Sequence, residues 1–373
     1  MSFRLLHSAD LHLGRRFGAM PEGARGRLVE ARHQILNRLA QAARDAGAAH
    51  ILVAGDVFDT ETPSDAVWRQ ALAAIAADPG LAWWLIPGNH DSLAAEPLWD
   101  QLRRNAPANL HLLDHPEAVT IAPGVSLLPC PLPRRRPGRD LSAWMVGAAT
   151  PEGHLRIGLA HGPVQGFGDE GGAGIIPPDR AETAGLDYLA LGDWHGAMRI
   201  GARAWYAGTP ECDGFRRAPR GQALVVAVPG GGAAPAVDPV ITGAFTWTEA
   251  EVPLVPGLSA AKALSAFLPA DRAARRDHLM RLRPTGRATL AEQAALAAAV
   301  AEAAPEFALF ELDTAALATE VEASDLEAID KGGALRLAAE VLAAGAGGGD
   351  PAMARLHSAA LNRLYGYLSG GRA

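Results

Sequence analysis

Five apolar runs before residue 200 share one ending. FRLLHSAD (residues 3–10), HILVAGD (50–56), WWLIPGNHD (83–91), LRIGLAHG (155–162) and YLALGDWH (188–195) climb through Leu, Ile, Val, Ala or Trp and stop on Gly, Asp, Asn or His. Runs of this length predict strands buried on both faces, the habit of a parallel sheet. Between the first three, the apolar spacing turns helical over Arg27–Ala46, Ser64–Ala77 and, more weakly, Pro97–Arg104. The second helix opens on Thr62, Pro63, Ser64 and Asp65, read as a cap residue, a proline at the first helical position and an acid in the first turn. Strand, helix, strand, helix, strand is the rhythm of an α/β sheet, whose carboxyl edge collects ligands from segments distant in sequence.

After residue 105 the rhythm tightens to closely spaced strands: NLHLL, AVTI and VSLLPCPL before His161, then AWYAGTP and QALVVAVP after His195. A second sheet follows from this, and with it a four-layer α/β sandwich of two sheets flanked by helices. The Gly- and Pro-rich run Pro229–Pro239 predicts a boundary closing a core of residues 1–229. Residues 240–322 then read as a small α+β capping domain. It has strands at Ala244–Val252, His278–Leu282 and Phe307–Leu312, a helix at Ala260–Leu268, and a second helix opened by a Thr289/Glu292 capping box. Residues 324–373 read as two Ala/Leu-rich helices split by AGAGGGD, the last placing Met353, Leu356, Ala360, Leu364 and Tyr367 on one stripe.

Composition narrows the class. The chain has 373 residues, 49% hydrophobic and 20% charged, as expected of a folded globular protein. No stretch reaches the ~20 apolar residues of a membrane span, and the polar motif near residue 10 occupies the place of a signal peptide's apolar region, so a cytoplasmic protein without a membrane partner is expected. With only Cys130 and Cys212, neither a disulfide framework nor a thiolate metal site is indicated. A net charge of -7 argues against nucleic-acid binding by bulk charge, which leaves local basic tracks at Arg134–Arg139 (RRRPGR) and Phe215–Arg220 (FRRAPR).

The strand endings carry the chemistry. Two divalent ions about 3.5–4 Å apart need a carboxylate touching both, further ligands for each, and space for a nucleophile. Asp56, preceded by a glycine, is the best candidate bridge, whereas Asp10 and His12 can reach one ion together only if the backbone bends between them. Asn89 and His161 suit a second ion, and His90, followed by Asp91, is placed to donate a proton to a leaving oxygen. Oxygen and imidazole ligands without thiolate suit manganese, iron or zinc, with the oxygen-rich balance favouring manganese. The remaining histidines, His33, His111 and His154 among them, read as structural or surface residues, and Trp83, Trp84 and Trp194 as packing residues.

At these motifs the chain resembles the calcineurin-like metallophosphoesterases, whose pattern is DxH, GDxxD, GNHD or GNHE, a single His, and GHxH. HSADLHLG, GDVFD and YAGTPE (Tyr206–Glu211) are similar to one branch, the SbcD-type DNA double-strand-break repair nucleases. That resemblance covers about residues 3–228. It implies Asp10, His12, Asp56 and His195 around a first metal, and Asp56, Asn89, His161 and Asp193 around a second. His90 would be the catalytic histidine, oriented by Asp91, with Asp59 in support. The implied activity is phosphodiester hydrolysis by a two-metal-activated hydroxide, usually with manganese, on DNA. The implied partner is an SMC-like ABC-type ATPase whose coiled coil docks on the helices after the cap; a homodimer stays open.

One position departs from the pattern, for Asp193 stands where the family has the first histidine of GHxH. The exchange leaves the site with one fewer positive charge, predicting a different metal preference or rate. Two rival readings remain: a phosphodiesterase for cyclic nucleotides or other small phosphoesters, and a non-catalytic DNA-end-binding scaffold.

Overall fold

The computed structural model describes residues 2–167, 175–215, 219–230, 232–255, 259–320, 329 and 333–370. The chain divides into two compact units, Met1–Thr246 and Trp247–Ala373.

In the first unit, β1 (Phe3–Ser8), β2 (His50–Ala54), β3 (Ala82–Ile86) and β4 (Leu110–Leu112) form a parallel row. Beyond β1 the sheet continues antiparallel through β11 (Arg220–Val228) and the opening half of β12 (Ala236–Leu254). A second sheet runs in the order β5 (Val119–Ala122), β6 (Val125–Cys130), β7 (Leu155–His161), β8 (Tyr188–Gly192), β10 (Ala204–Tyr206), β9 (Met198–Arg199). Its members β6, β7 and β8 are parallel.

Alternation assigns every residue of the central strands to a layer. Leu5, Leu52, Ala54, Trp84 and Ile86 face the second sheet, meeting Leu127, Ile157, Leu159, Tyr188 and Ala190. Their neighbours Leu6, Ile51, Val53, Trp83 and Leu85 face outward against the helices α1 (Glu22–His33), α2 (Ile35–Asp45), α3 (Asp65–Ala76) and α4 (Glu96–Asn105). Behind the second sheet, Ala160, Leu189 and Leu191 meet Met145, Ile176, Ala181 and Ala184, completing four layers. Both faces of each sheet are dry, which is why the strands read as continuous apolar runs.

Several expected elements differ in detail. The helix expected over Arg27–Ala46 is two, broken at Gln34, whose ψ of -3° leaves the helical value. Glu30, Gln34 and Asn37 bond side chain to side chain across that break. Pro63 lies outside α3, which starts at Asp65 after Ser64, and Asp65 accepts the indole N–H of Trp68 at 3.2 Å instead of capping backbone. The Gly/Pro run at 229–239 ends inside a strand: β12 starts at Ala236 and runs to Leu254, and the division of the chain into units falls after Thr246, not in that run. Pairing of Ala236–Ile241 along β11 overrides the local loop signal. Trp83 and Trp84 are buried and Trp194 packs against the outer layer, as packing residues do.

In the second unit, the end of β12, β13 (His278–Thr289) and β14 (Leu309–Leu312) lie side by side, and β15 (Leu317–Glu320) also pairs with β13. α6 (Ala260–Ser265) and α7 (Leu290–Ala303) accompany them, with Leu264, Leu296 and Val300 in the core, and α7 carries the complete Thr289/Glu292 capping box. Of the two last helices, Ala334–Ala346 and Pro351–Gly370, Ala339, Leu361, Leu364, Tyr365 and Leu368 pack inward. The expected stripe is therefore split: Leu364 turns in, while Met353, Leu356 and Tyr367 stay exposed.

Candidate metal centre

Each polar cluster sits at the carboxyl end of its strand: Asp10 and His12 after β1, Asp56 and Asp59 after β2, Asn89–Asp91 after β3, His161 ending β7, Asp193 and His195 after β8. The first two loops are laced together, since the N–H groups of Asp10, His12 and Leu13 donate to the carbonyls of Gly55, Asp56 and Val57, and Asp59 N–H returns to Leu13. The bend that Asp10 and His12 require is present as left-handed backbone, with φ of 54° and 45°. Asp56 and Asp193 share it, at 53° and 102°. Such conformations cost about 1–3 kcal/mol each and persist where the surroundings impose them. Two glycines make the space: a Cβ on Gly55 would lie 2.4 Å from His161 Nδ1, and one on Gly88 would lie 2.1 Å from Asp56 Oδ1.

The side chains converge. His12 Nε2 is 3.2 Å from His195 Nε2 and 3.7 Å from Asp56 Oδ2, and His161 Nε2 is 3.5 Å from Asp56 Oδ1 and 3.6 Å from Asp193 Oδ1. Asn89 donates its amide N–H to Asp193 Oδ1 at 2.7 Å, and the Asp193 N–H reaches both carboxylate oxygens of Asp10 at 3.2 Å. Ligand atoms of Asp10, His12 and His195, of His12, Asp56 and His90, and of Asp10, Asp56 and His161 each cluster tightly enough to hold an ion.

The donor set fits divalent cations on three counts. His161 Nε2 is buried without a hydrogen-bond partner and faces two carboxylates. His12 Nδ1 lies 3.2 Å from Asp59 Oδ1 and His195 Nδ1 lies 3.4 Å from Asp213 Oδ2, while the two Nε2 atoms lie 3.2 Å apart, so both rings direct Nε2 toward one point. Finally, the carboxylates call for positive charge: burial raises Asp10 to about 6, and although burial opposes charging His161, Asp56, Asp193 and Asp10 raise it to about 9. Burial holds His12 down at about 4, neutral and ready to ligate.

One expected contact is replaced. Asp91 does not orient His90: its two oxygens accept the N–H groups of Gly88 and Phe58, at 2.7 and 3.0 Å. His90 Nδ1 instead meets the Asp59 carbonyl at 2.9 Å, and its own N–H donates to Asp56 Oδ1 at 2.8 Å. Neighbours in sequence diverge here because Asp91 serves the backbone of the loop that carries His90.

Other contributors carried no ligand signal in the sequence. Asp213 holds His195, and Arg15 lies between Asp59 and Asp213 at 3.4 and 3.2 Å. Against the pull of burial, His195, Arg15 and Arg32 keep the Asp213 carboxyl well below the usual range. Arg32, fully buried, donates to Leu11 O, Thr209 Oγ1 and Cys212 O, and Thr209 Oγ1 donates to Asp10 O. Tyr206 hydroxyl bridges Gly162 O and Val164 N–H behind His161. YAGTPE thus braces both halves of the site.

The sequence profile of the calcineurin-like phosphoesterases matches residues 3–197. The chain belongs to the calcineurin-like phosphoesterase family. Enzymes of this family hydrolyse phosphoesters with two divalent metals, and this phosphoesterase has the two-sheet core and clusters of residues that could hold metal ions. No curated protein matches its sequence. Among solved structures, it is similar to TT1561 of Thermus thermophilus at 12% identity, covering 65% of this chain and 100% of that one, with a TM-score of 0.40. GAP50, the anchor in the inner membrane complex of Plasmodium, is similar at 11% identity, covering 65% and 85%, with a TM-score of 0.37. Among the described residues no helix of this phosphoesterase is long and apolar enough to cross a membrane.

Proposed function

We propose that this phosphoesterase is a DNA nuclease, exo- or endonucleolytic, that works with manganese in repair alongside an SMC-like ATPase. The observation that carries the reading is a cationic loop in an acidic chain. Arg134, Arg135, Arg136 and Arg139 are exposed on the segment that leaves the carboxyl end of β6, the edge that also bears His161 and Asp193. Among the described residues none of the four is paired with a carboxylate, and Arg134 donates to Pro137 O within the loop, so the charge of the loop is left for phosphates. A small phosphodiester needs no such track beside the site, whereas a polymer does. Of the other basic run, Arg216 and Arg217 fall outside the described residues, and Arg220 donates to Gly243 O.

Asp10, His12, Asp56 and His195 would hold one ion, with Asp56, Asn89, His161 and Asp193 holding the other. When bound, the ions supply activation of water and neutralisation of phosphate charge. His90, with Nδ1 fixed by the Asp59 carbonyl, presents Nε2 to the site and protonates the leaving oxygen. Exposed Leu337, Val341, Leu356 and Tyr367 on the two last helices support docking of the ATPase. The test supplies manganese and compares linear single- and double-stranded DNA with bis(p-nitrophenyl) phosphate. Turnover of DNA that exceeds that of the small ester and vanishes in Asp56→Asn supports the nuclease; turnover of the small ester alone overturns it.

A further inference from the structure

At the carboxyl end of β6 lies a cleft of about 440 Å³, within the range of ligand sites, whose lining includes Leu93, Pro131, Pro133, Leu141, Trp144 and Arg139. Two backbone links tie its wall to segments that carry the candidate ligands. Cys130, also in its lining, pairs across β6 and β7 with Ala160, the residue before His161. Leu93, two residues past Asp91, donates its N–H to Leu132 O at 3.0 Å, joining the cleft wall to the loop that carries Asn89 and His90.

The cleft is a built one. Trp144 is anchored by its indole N–H on Pro129 O at 3.2 Å, which fixes the plane of the ring. Asp140 is bound by the nearly buried Arg180 and by the Ser142 hydroxyl, and Asp114 by Arg103 at 2.8 Å. Both acids of the lining are therefore neutralised from outside it, which leaves Arg139 as the lining charge with no carboxylate partner among the described residues. What remains is an apolar lining of Trp, Leu and Pro beside a row of arginines, the pairing that takes a base by its face and a backbone by its phosphates.

We propose that this cleft receives one unpaired nucleobase next to the scissile phosphate, with Arg139 and the Arg134–Arg136 run holding the neighbouring phosphates. The inference rests on the nuclease reading and deepens it: the substrate is a single strand or a frayed end, because a base within a duplex cannot leave its stack without cost. Stacking is indifferent to base identity, so cleavage has little sequence preference.

The experiment walks a single abasic site along a short single-stranded oligonucleotide and measures KM with manganese supplied. In the wild-type chain one position near the cleaved bond raises KM by roughly tenfold, the size of one lost stack. In Trp144→Ala that position becomes indifferent, and Trp144→Phe restores part of the effect; the walk in the wild-type chain needs no variant to fold. A walk with no sensitive position, a sensitivity that persists undiminished in Trp144→Ala, or blunt duplexes cut as readily as single strands would each overturn the cleft proposal while leaving the nuclease standing. Hydrolysis of bis(p-nitrophenyl) phosphate with no oligonucleotide cleaved overturns the nuclease reading itself.

Discussion

The two halves of the metal centre are braced differently. In the half built on Asp10, His12 and His195, each imidazole has a carboxylate behind it, Asp59 or Asp213, and Arg15 ties those carboxylates together. In the half built on Asn89, His161 and Asp193, the ligands lean on one another and on main chain: His161 Nδ1 is 2.7 Å from Ala54 O, and Asn89 bonds Asp193 directly. A carboxylate behind a histidine raises its basicity and fixes its orientation; a main-chain carbonyl fixes orientation with less charge. The first half is thus specified by charged side chains and the second by the ligands' own contacts and backbone, and the exchanged ligand Asp193 sits in the second, where burial and the Asp56 charge push its carboxyl up.

That contrast can be broken in order of severity. Asp56 faces both halves, so Asp56→Asn should lower phosphodiester turnover by about a thousandfold or more and weaken both metal sites, read by turnover and by titration against a chelator. Asp213→Asn should weaken only one class of metal site, by about 10- to 100-fold, leaving the other class unmoved in the same titration. Equal weakening of both classes would show that the halves are not separately braced. Asp193→His should move metal preference away from manganese toward zinc by an amount below that of Asp213→Asn, measured by competition between the two ions; an unchanged preference and rate would remove the significance given to this exchange.

A last effect bears on stability and leaves the metal sites alone. His7 on β1 is buried between the Tyr188 hydroxyl and Leu191 O, and burial lowers it to about 3. The unfolded chain takes up that proton near 6.5 while the fold refuses it, so stability present above 6.5 is lost as pH falls toward 3, by up to about 1.4 kcal/mol per unit. His7→Gln should flatten the acid limb of a denaturation series; identical limbs would show that His7 does not set it.

The ligands were legible because the chemistry demands rare residue types at places the hydrophobic pattern already marks. Asp10, Asp56, Asn89, His161 and Asp193 each follow an apolar run. Asp213 follows none; it acts only through His195, and nothing local sets it apart. Arg32 reads as an ordinary polar position of a helix, yet it is buried under the site, because the carbonyls that satisfy it come from residues 11 and 212. Asp91 misled through adjacency: loop backbone turned its carboxylate from the neighbouring imidazole to the N–H groups of Gly88 and Phe58. The opening of β12 was hidden by the Gly- and Pro-rich run that leads into it, since strand pairing is decided by a partner strand and not by local propensity.

The left-handed backbone at Asp10, His12, Asp56 and Asp193 has a consequence for how the protein ages and adapts. Four such residues together withhold an amount comparable to a sizeable part of the 5–15 kcal/mol that typically separates a fold from its unfolded chain. Ions bound only by the folded form return that stability by mass action. A chelator should therefore lower the midpoint of thermal unfolding of this phosphoesterase while leaving that of Asp56→Asn nearly in place. Starved of metal, the enzyme would be lost to proteolysis as well as silenced, so its abundance would follow the supply of the ion it uses.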